Sequence, residues 1–222
     1  MMDKIGYDML DKLSKTAFWE WFTKKFLSSA TTRVFGYPKF PMEDFFKIVD
    51  LLRTGRVYAF VCSDYSSVGS RVIRVLSDAI FTHGGLIQKC TDRTTGVIHM
   101  RSIGLQLEHM LSLLREVDYF AVIEVPLKCP EYFDKVQTRI IGSWARRDEL
   151  LYDFEERLGN DPNKLYCSEY CLTILGDLCT IKPKTRMVLG REVFAPDDIL
   201  DIGKVVYTNH KGVAKKYLPG PN

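Results

Sequence analysis

The stretch Leu165-Tyr166-Cys167-Ser168-Glu169-Tyr170-Cys171-Leu172 constrains this chain most. It follows a run of turn-forming residues, Gly159-Asn160-Asp161-Pro162-Asn163, and leads into apolar residues at Cys171, Ile174, Leu175 and Leu178. That three-and-four spacing marks an amphipathic helix, so Cys167 falls at a helix start. The unpaired N–H groups and the positive dipole end at such a start favour a thiolate, the nucleophilic form of cysteine. The competing reading is a small buried hydrophobe, which most free cysteines are.

The 222 residues are enough for one domain with its own core and an appendage. A net charge of +3 is too mild to argue for nucleic acid, and no nucleic-acid partner is expected. No stretch reaches the roughly 18 consecutive apolar residues needed to span a bilayer. The start, Met1-Met2-Asp3-Lys4-Ile5, lacks the apolar run and small-residue cleavage site of a secretory signal. The six cysteines are therefore expected as thiols in a reducing, cytoplasmic setting, which is the host cytoplasm if the protein is viral or from a phage. No Cys-x-x-Cys occurs, and Cys167, Cys171 and Cys179 have no histidine nearby at zinc-site spacing. No metal and no other cofactor is expected.

Residues 3–28 read as a helix with Leu10, Leu13, Ala17 and Trp21 on one stripe, lysines around it and an unusual share of aromatic side chains. Such a helix packs on the domain behind it, or meets a membrane surface or a partner's groove. Tyr37-Pro38-Lys39-Phe40-Pro41 breaks the chain, and Phe45, Ile48, Val49 and Leu52 mark a short helix. Residues 1–50 are taken as a helical extension and residues 51–222 as the catalytic-type domain. Strands are predicted over 56–62, 82–88, 96–100, 119–125 and 204–208. Ser66-Ser67 caps a predicted helix carrying Val68, Val72, Val75 and Leu76. Leu107, Met110, Leu111 and Leu114 mark another, with His109 on its polar side, and Phe133, Val136, Ile140 and Trp144 a third. Phe194-Ala195-Pro196-Asp197-Asp198 turns into a short helix, and the tail from Lys215 is expected to fray.

Cysteine catalysis needs an imidazole to exchange the proton and a third group to orient it. Of the four histidines, His210 lies near the chain end and His109 on a solvated helix face, whereas His83 and His99 sit on two strands of a predicted antiparallel hairpin. Side chains alternate along a strand, so the two rings share a face only if the paired residue numbers sum to an even value. A three-residue loop at Thr91-Asp92-Arg93 meets that condition, pairing Gly85 with His99.

The strand Thr82-His83-Gly84-Gly85 after the helix at Ser70–Leu76, the strand Val97-Ile98-His99, Tyr152-Asp153-Phe154 and Tyr166-Cys167-Ser168-Glu169 occur in a telling order. Over roughly residues 50–202 the chain resembles the permuted papain-like thiol hydrolases, the YiiX/YaeF-like branch of the NlpC-type superfamily. In that branch the histidine strand precedes the cysteine helix, the reverse of the papain order. The resemblance implies Cys167 as nucleophile and His83 as general base, with His99 standing where many members carry an orienting glutamate. It places Tyr152, Asp153, Tyr166 and Glu169 about the cleft, with the Cys167 N–H and a tyrosine such as Tyr166 or Tyr152 as oxyanion donors.

The expected architecture is α+β, a papain-like, circularly permuted NlpC-type fold with a small antiparallel sheet or half-barrel packed on the cysteine helix. The expected function is a thiol amidase or peptidase acting through an acyl-enzyme on an amide- or ester-containing peptide, protein or lipid. Two alternatives stand beside it: a lipid acyl hydrolase or acyltransferase, and a non-catalytic viral or phage structural or interaction protein that keeps the fold.

Overall fold

Val57–Ser63 is rich in β-branched and aromatic residues and forms β1, every residue of which is buried. Burial on both faces follows from a central place in a sheet covered on each side. Its companions are β2 (His83–Lys89), β3 (Thr95–Arg101), β4 (Gly104–His109), β5 (Tyr119–Val125) and, late in the chain, β10 (Lys204–Thr208). These six strands pair antiparallel in the order β10-β5-β1-β2-β3-β4. The helices are α1 (Met42–Leu51), α2 (Met110–Leu114), α3 (Tyr132–Ala145), α4 (Cys167–Leu175) and α5 (Lys211–Tyr217), with a 3-10 helix at Pro196–Ile202. Two small ribbons complete the fold: parallel β6 (Leu151–Tyr152) with β7 (Lys164–Leu165), and antiparallel β8 (Arg186–Val188) with β9 (Arg191–Val193). This computed structural model describes residues 40, 42–64, 74, 79–89, 95–153, 158–159, 161–188 and 190–219.

The sheet separates two cores. On one face Tyr58, Phe60, Cys62, Ile87, Val97, Phe120 and Val122 meet Phe45, Ile48 and Leu52 of the α1 region and Met110, Leu113 and Leu114 of α2. Thus α1, which straddles the expected boundary at residue 50, contributes to the packing of the sheet. On the other face Ala59, Val61, Leu86, Ile98, Met100, Ala121 and Ile123 meet α3, α4 and the 3-10 helix. The alternation along each strand assigns odd and even residues to the two cores in turn.

The architecture is the expected α+β arrangement with an antiparallel sheet packed on the cysteine helix. Two local expectations are corrected. Leu107 and His109 belong to β4, and the helix begins only at Met110. The C-terminal segment is held in α5: Val213 is buried, and the Tyr217 hydroxyl donates to Asp201 Oδ1 at 2.8 Å. The aromatic helix expected over 3–28 and most of that expected over 66–76 lie outside the described residues.

Between β2 and β3, Leu86 pairs with Ile98 and Ile87 with Val97, an even register that continues to Gly85 opposite His99. A Cβ placed on Gly85 would lie 2.6 Å from His99 Cβ, 2.6 Å from Phe60 Cε1 and 2.7 Å from the Ile98 carbonyl oxygen. Only a residue without a side chain fits there. Gly85→Ala is expected to destabilise the protein by about 1–3 kcal/mol, the usual cost of overpacking. Its chemical denaturation midpoint tests this, and a midpoint equal to wild type would show that the contact can relax.

Candidate active site

His83 opens β2, and the sequence before it is pinned from two sides. Asp197, in the 3-10 helix, accepts from Ile80 N and Phe81 N, each at 2.8 Å. Ser63 Oγ at the end of β1 donates to Ile80 O at 2.8 Å, and Thr82 N donates to Cys62 O at 3.1 Å. The lead-in cannot slide, so the ring that follows it has a fixed origin.

The register then brings the two imidazoles together. His83 pairs across the sheet with Cys62, and Gly85 with Phe60, which puts both histidines on the Phe60 face. His83 Nε2 lies 2.6 Å from His99 Nδ1, and His99 Nε2 lies 2.8 Å from Glu108 Oε1. His99 is wholly buried, with both ring nitrogens engaged. Arg101 approaches the same group: its Nε stands 3.3 Å from His99 Nε2, and its Nη2 donates to Glu108 Oε1 at 2.5 Å. Glu116 accepts from Arg101 Nη1 at 3.1 Å on the outer side.

Glu108 was not among the residues singled out from the sequence. The helical reading of Leu107–Leu114 hid it, because on a helix it faces away from the strand that carries His99. As a strand, β4 alternates Leu105 and Leu107 with Gln106 and Glu108, and the pairing of Val97 with Glu108 and His99 with Gln106 puts the polar pair on the imidazole face. That alternation is the signal that could have found it.

Cys167 is the first residue of α4, with Tyr166 as the extended N-cap residue. Its neighbours are anchored one by one. The Tyr166 hydroxyl accepts from Phe194 N at 2.8 Å, and Ser168 Oγ donates to Phe194 O. Glu169 Oε1 accepts from Gly159 N at 2.7 Å. Burial raises the Glu169 carboxyl above its ordinary range, against the lowering effect of backbone bonds from Gly159 and Tyr166. Asp153, also buried, adds to the rise, so it stands close to Glu169 at the helix start. Asp153 N donates to Leu165 O at 3.1 Å, and Tyr152 pairs with Leu165, which sets both residues beside the cysteine segment.

Helix α4 buries Tyr170, Cys171, Ile174 and Leu175 against Leu86 and Ile98, on the sheet face opposite the imidazoles. Helix α4 thus packs on the strand that carries His83, from the face opposite the ring. Burial raises the Cys62 thiol first of all; Arg101 opposes the rise, and Cys167, Glu108 and Glu116 add to it. Cys62 is the register partner of His83.

The remaining histidines are helix caps. His109 Nδ1 accepts from Leu111 N and His210 Nδ1 from Val213 N, each at 3.2 Å. None of Cys62, Cys129, Cys167, Cys171 and Cys179 forms a disulfide. Among the described residues no three His, Cys, Asp or Glu side chains converge as a metal ion would require. No helix among them is long and apolar enough to cross a membrane.

No family model matches the sequence, and no curated protein matches it. The fold is similar to that of the metalloprotein yiiX from Escherichia coli O157:H7, with a TM-score of 0.53. The match covers 70% of this chain and 96% of that chain at 13% sequence identity. The likeness is one of fold.

Burial first, and then Arg101, lowers His99 from its ordinary value of 6.5 to about 3. Burial first, then His99 and Arg101, holds His83 well below 6.5. Both rings are neutral in the folded protein at neutral pH, whereas the unfolded chain takes up a proton on each as pH falls through about 6.5. Stability is therefore complete above that value and falls below it, by about 1.4 kcal/mol per pH unit for a buried ring such as His99. The urea midpoint is expected to drop between about pH 7 and about pH 5, and His99→Gln to drop less steeply over the same range. A wild-type midpoint that holds across that window would contradict the neutral assignment.

Proposed function

We propose that this chain is a cysteine hydrolase in which Cys167 attacks the carbonyl carbon of an amide or ester. The sulfur forms a C–S bond as His83 takes the thiol proton, and His83 returns that proton to the leaving amine or alcohol. Water, deprotonated in turn by His83, then cleaves the thioester. The start of α4 supplies N–H groups and a positive dipole end suited to the thiolate and to the developing oxyanion. His99 orients the base.

The observation that carries this reading is the imidazole pair, His83 Nε2 to His99 Nδ1 at 2.6 Å, borne on the two strands against which the Cys167 helix packs. A half-buried ring in line with a fully buried one is costly to assemble, and such lines are characteristic of sites that move protons. The likeness to yiiX supports the fold-level side of the reading. That neighbour is a metalloprotein, but the groups here do not suit a resident metal: no three candidate ligands converge among the described residues, and both nitrogens of His99 are already bonded. The proposed chemistry rests on the side chains of the chain itself. A peptide or protein amide is the first substrate class, and the acyl group of a lipid the second.

One observation favours a second reading. Cys167 is only 4% exposed, as suits a binding protein that keeps the fold without turnover. Iodoacetamide at neutral pH, followed by peptide mapping, separates the two. The hydrolase reading predicts fast alkylation of Cys167 and none of buried Cys62, Cys171 and Cys179. His83→Ala should slow Cys167 labelling by about 10²- to 10⁴-fold, the usual range for losing a positioned base. Labelling of Cys167 no faster than that of half-buried Cys129 would exclude the mechanism.

A further inference from the structure

We propose that Glu108 is a positioning residue: acting through His99, it fixes which ring nitrogens carry protons and leaves Nδ1 of His83 as the proton acceptor. The use of that acceptor against a thiol rests on the hydrolase reading, whereas the proton arrangement does not.

The argument starts from a conflict at one atom. His99 Nε2 has two neighbours, Glu108 Oε1 at 2.8 Å and Arg101 Nε at 3.3 Å. A carboxylate oxygen only accepts and a guanidinium N–H only donates. If Nε2 carries a proton, it donates to Glu108; if it carries a lone pair, it accepts from Arg101. The contact to the carboxylate is the shorter, and it is charge-assisted. Arg101 also has other acceptors, donating to Glu108 at 2.5 Å and to Glu116 at 3.1 and 3.2 Å. The proton therefore sits on His99 Nε2.

The rest of the line follows from that placement. A neutral His99 protonated at Nε2 has its lone pair at Nδ1, where it accepts from His83 Nε2–H at 2.6 Å. A neutral His83 protonated at Nε2 has its own lone pair at Nδ1. In the other arrangement His99 Nδ1 donates to His83 Nε2, so His83 bears its proton on Nδ1 and cannot accept one there. The two arrangements have opposite consequences for a base, and the carboxylate of Glu108 selects between them. It also places a negative charge at the far end of the line when His83 becomes an imidazolium. The charged and titratable groups beside this line are Arg101 and Glu116 next to Glu108, and Cys62, the register partner of His83 on β1.

Histidine-labelled full-length protein, studied by long-range proton–nitrogen NMR near about pH 7, reads both tautomers directly. The expected pattern is Nε2–H on His99 and Nε2–H on His83. In Glu108→Gln the His99 signal should leave that pure pattern, and neutral-pH alkylation of Cys167 should fall about tenfold, its onset moving up by about one pH unit. Asp177→Asn, which removes an exposed carboxylate paired with Arg139 and touching neither imidazole, should leave both readouts at wild-type values. Nδ1–H on His99 in the wild-type protein, or a Glu108→Gln variant with unchanged imidazole signals, would overturn the proposal. If Glu108→Gln does not fold, the wild-type spectrum decides. If Cys167 proves unreactive, the hydrolase reading fails while the spectrum still decides the role of Glu108.

Discussion

A glycine facing a histidine across an antiparallel strand pair sets the geometry on which the site depends. Gly85 gives His99 the space beside Phe60 that any side chain would fill. The even register of β2 with β3 then leaves His83 one diagonal step from His99, close enough for 2.6 Å between ring nitrogens. A slip of one residue would turn one ring to the α4 face and destroy the pair. Register is resistant to slipping here because both faces of the sheet are buried, and a slip would carry Ile87 and Val97 into the wrong core.

Burying His99 completely creates an obligation at each of its nitrogens. An unpaired polar atom in such a place costs about 1–3 kcal/mol. His83 meets one side and Glu108 the other. The ion pairs that follow are more open: Glu108 is 23%, Arg101 28% and Glu116 40% exposed at the side chain. At that exposure they add little to stability. Their effect is orientation, since Arg101 holds the Glu108 carboxylate against His99 while Glu116 holds Arg101 from outside.

Much of this was legible in the residues, and the failures have identifiable causes. Strands β1, β2, β3, β5 and β10 announced themselves by β-branched and aromatic runs between turn residues, and the even pairing of His83 and His99 could be posed as a condition before any coordinates. The stretch around Leu107 failed because apolar residues at 107, 110, 111 and 114 match a helical period even though the chain changes from strand to helix at Met110. Leu107 contributed to that false match although it is 49% exposed. The same error concealed Glu108. The cysteine helix was legible from its period, but its neighbours' tasks were not: Tyr166 and Ser168 act on Phe194, far along the chain, and only tertiary structure shows that pairing.

Those distant contacts explain how two halves of a site on different elements can hold a common geometry. The segment Phe194–Ile199 touches both. Its first residue offers its backbone N–H to Tyr166 and its carbonyl to Ser168, the residues on either side of Cys167. Three residues on, Asp197 holds the two amides that lead into His83. Ile199 then fills the space above Gly84, the next residue of β2. Asp198 stiffens the turn between these grips, accepting from Ala195 N at 2.8 Å and pairing with Arg186. The helix that begins at Cys167 packs on one face of the sheet and His83 turns to the other, yet the helix start and the lead-in to β2 are both fastened to the same short connector. A substitution at Ser168 or Asp197 therefore disturbs the start of the Cys167 helix or the lead-in to His83 without altering either residue.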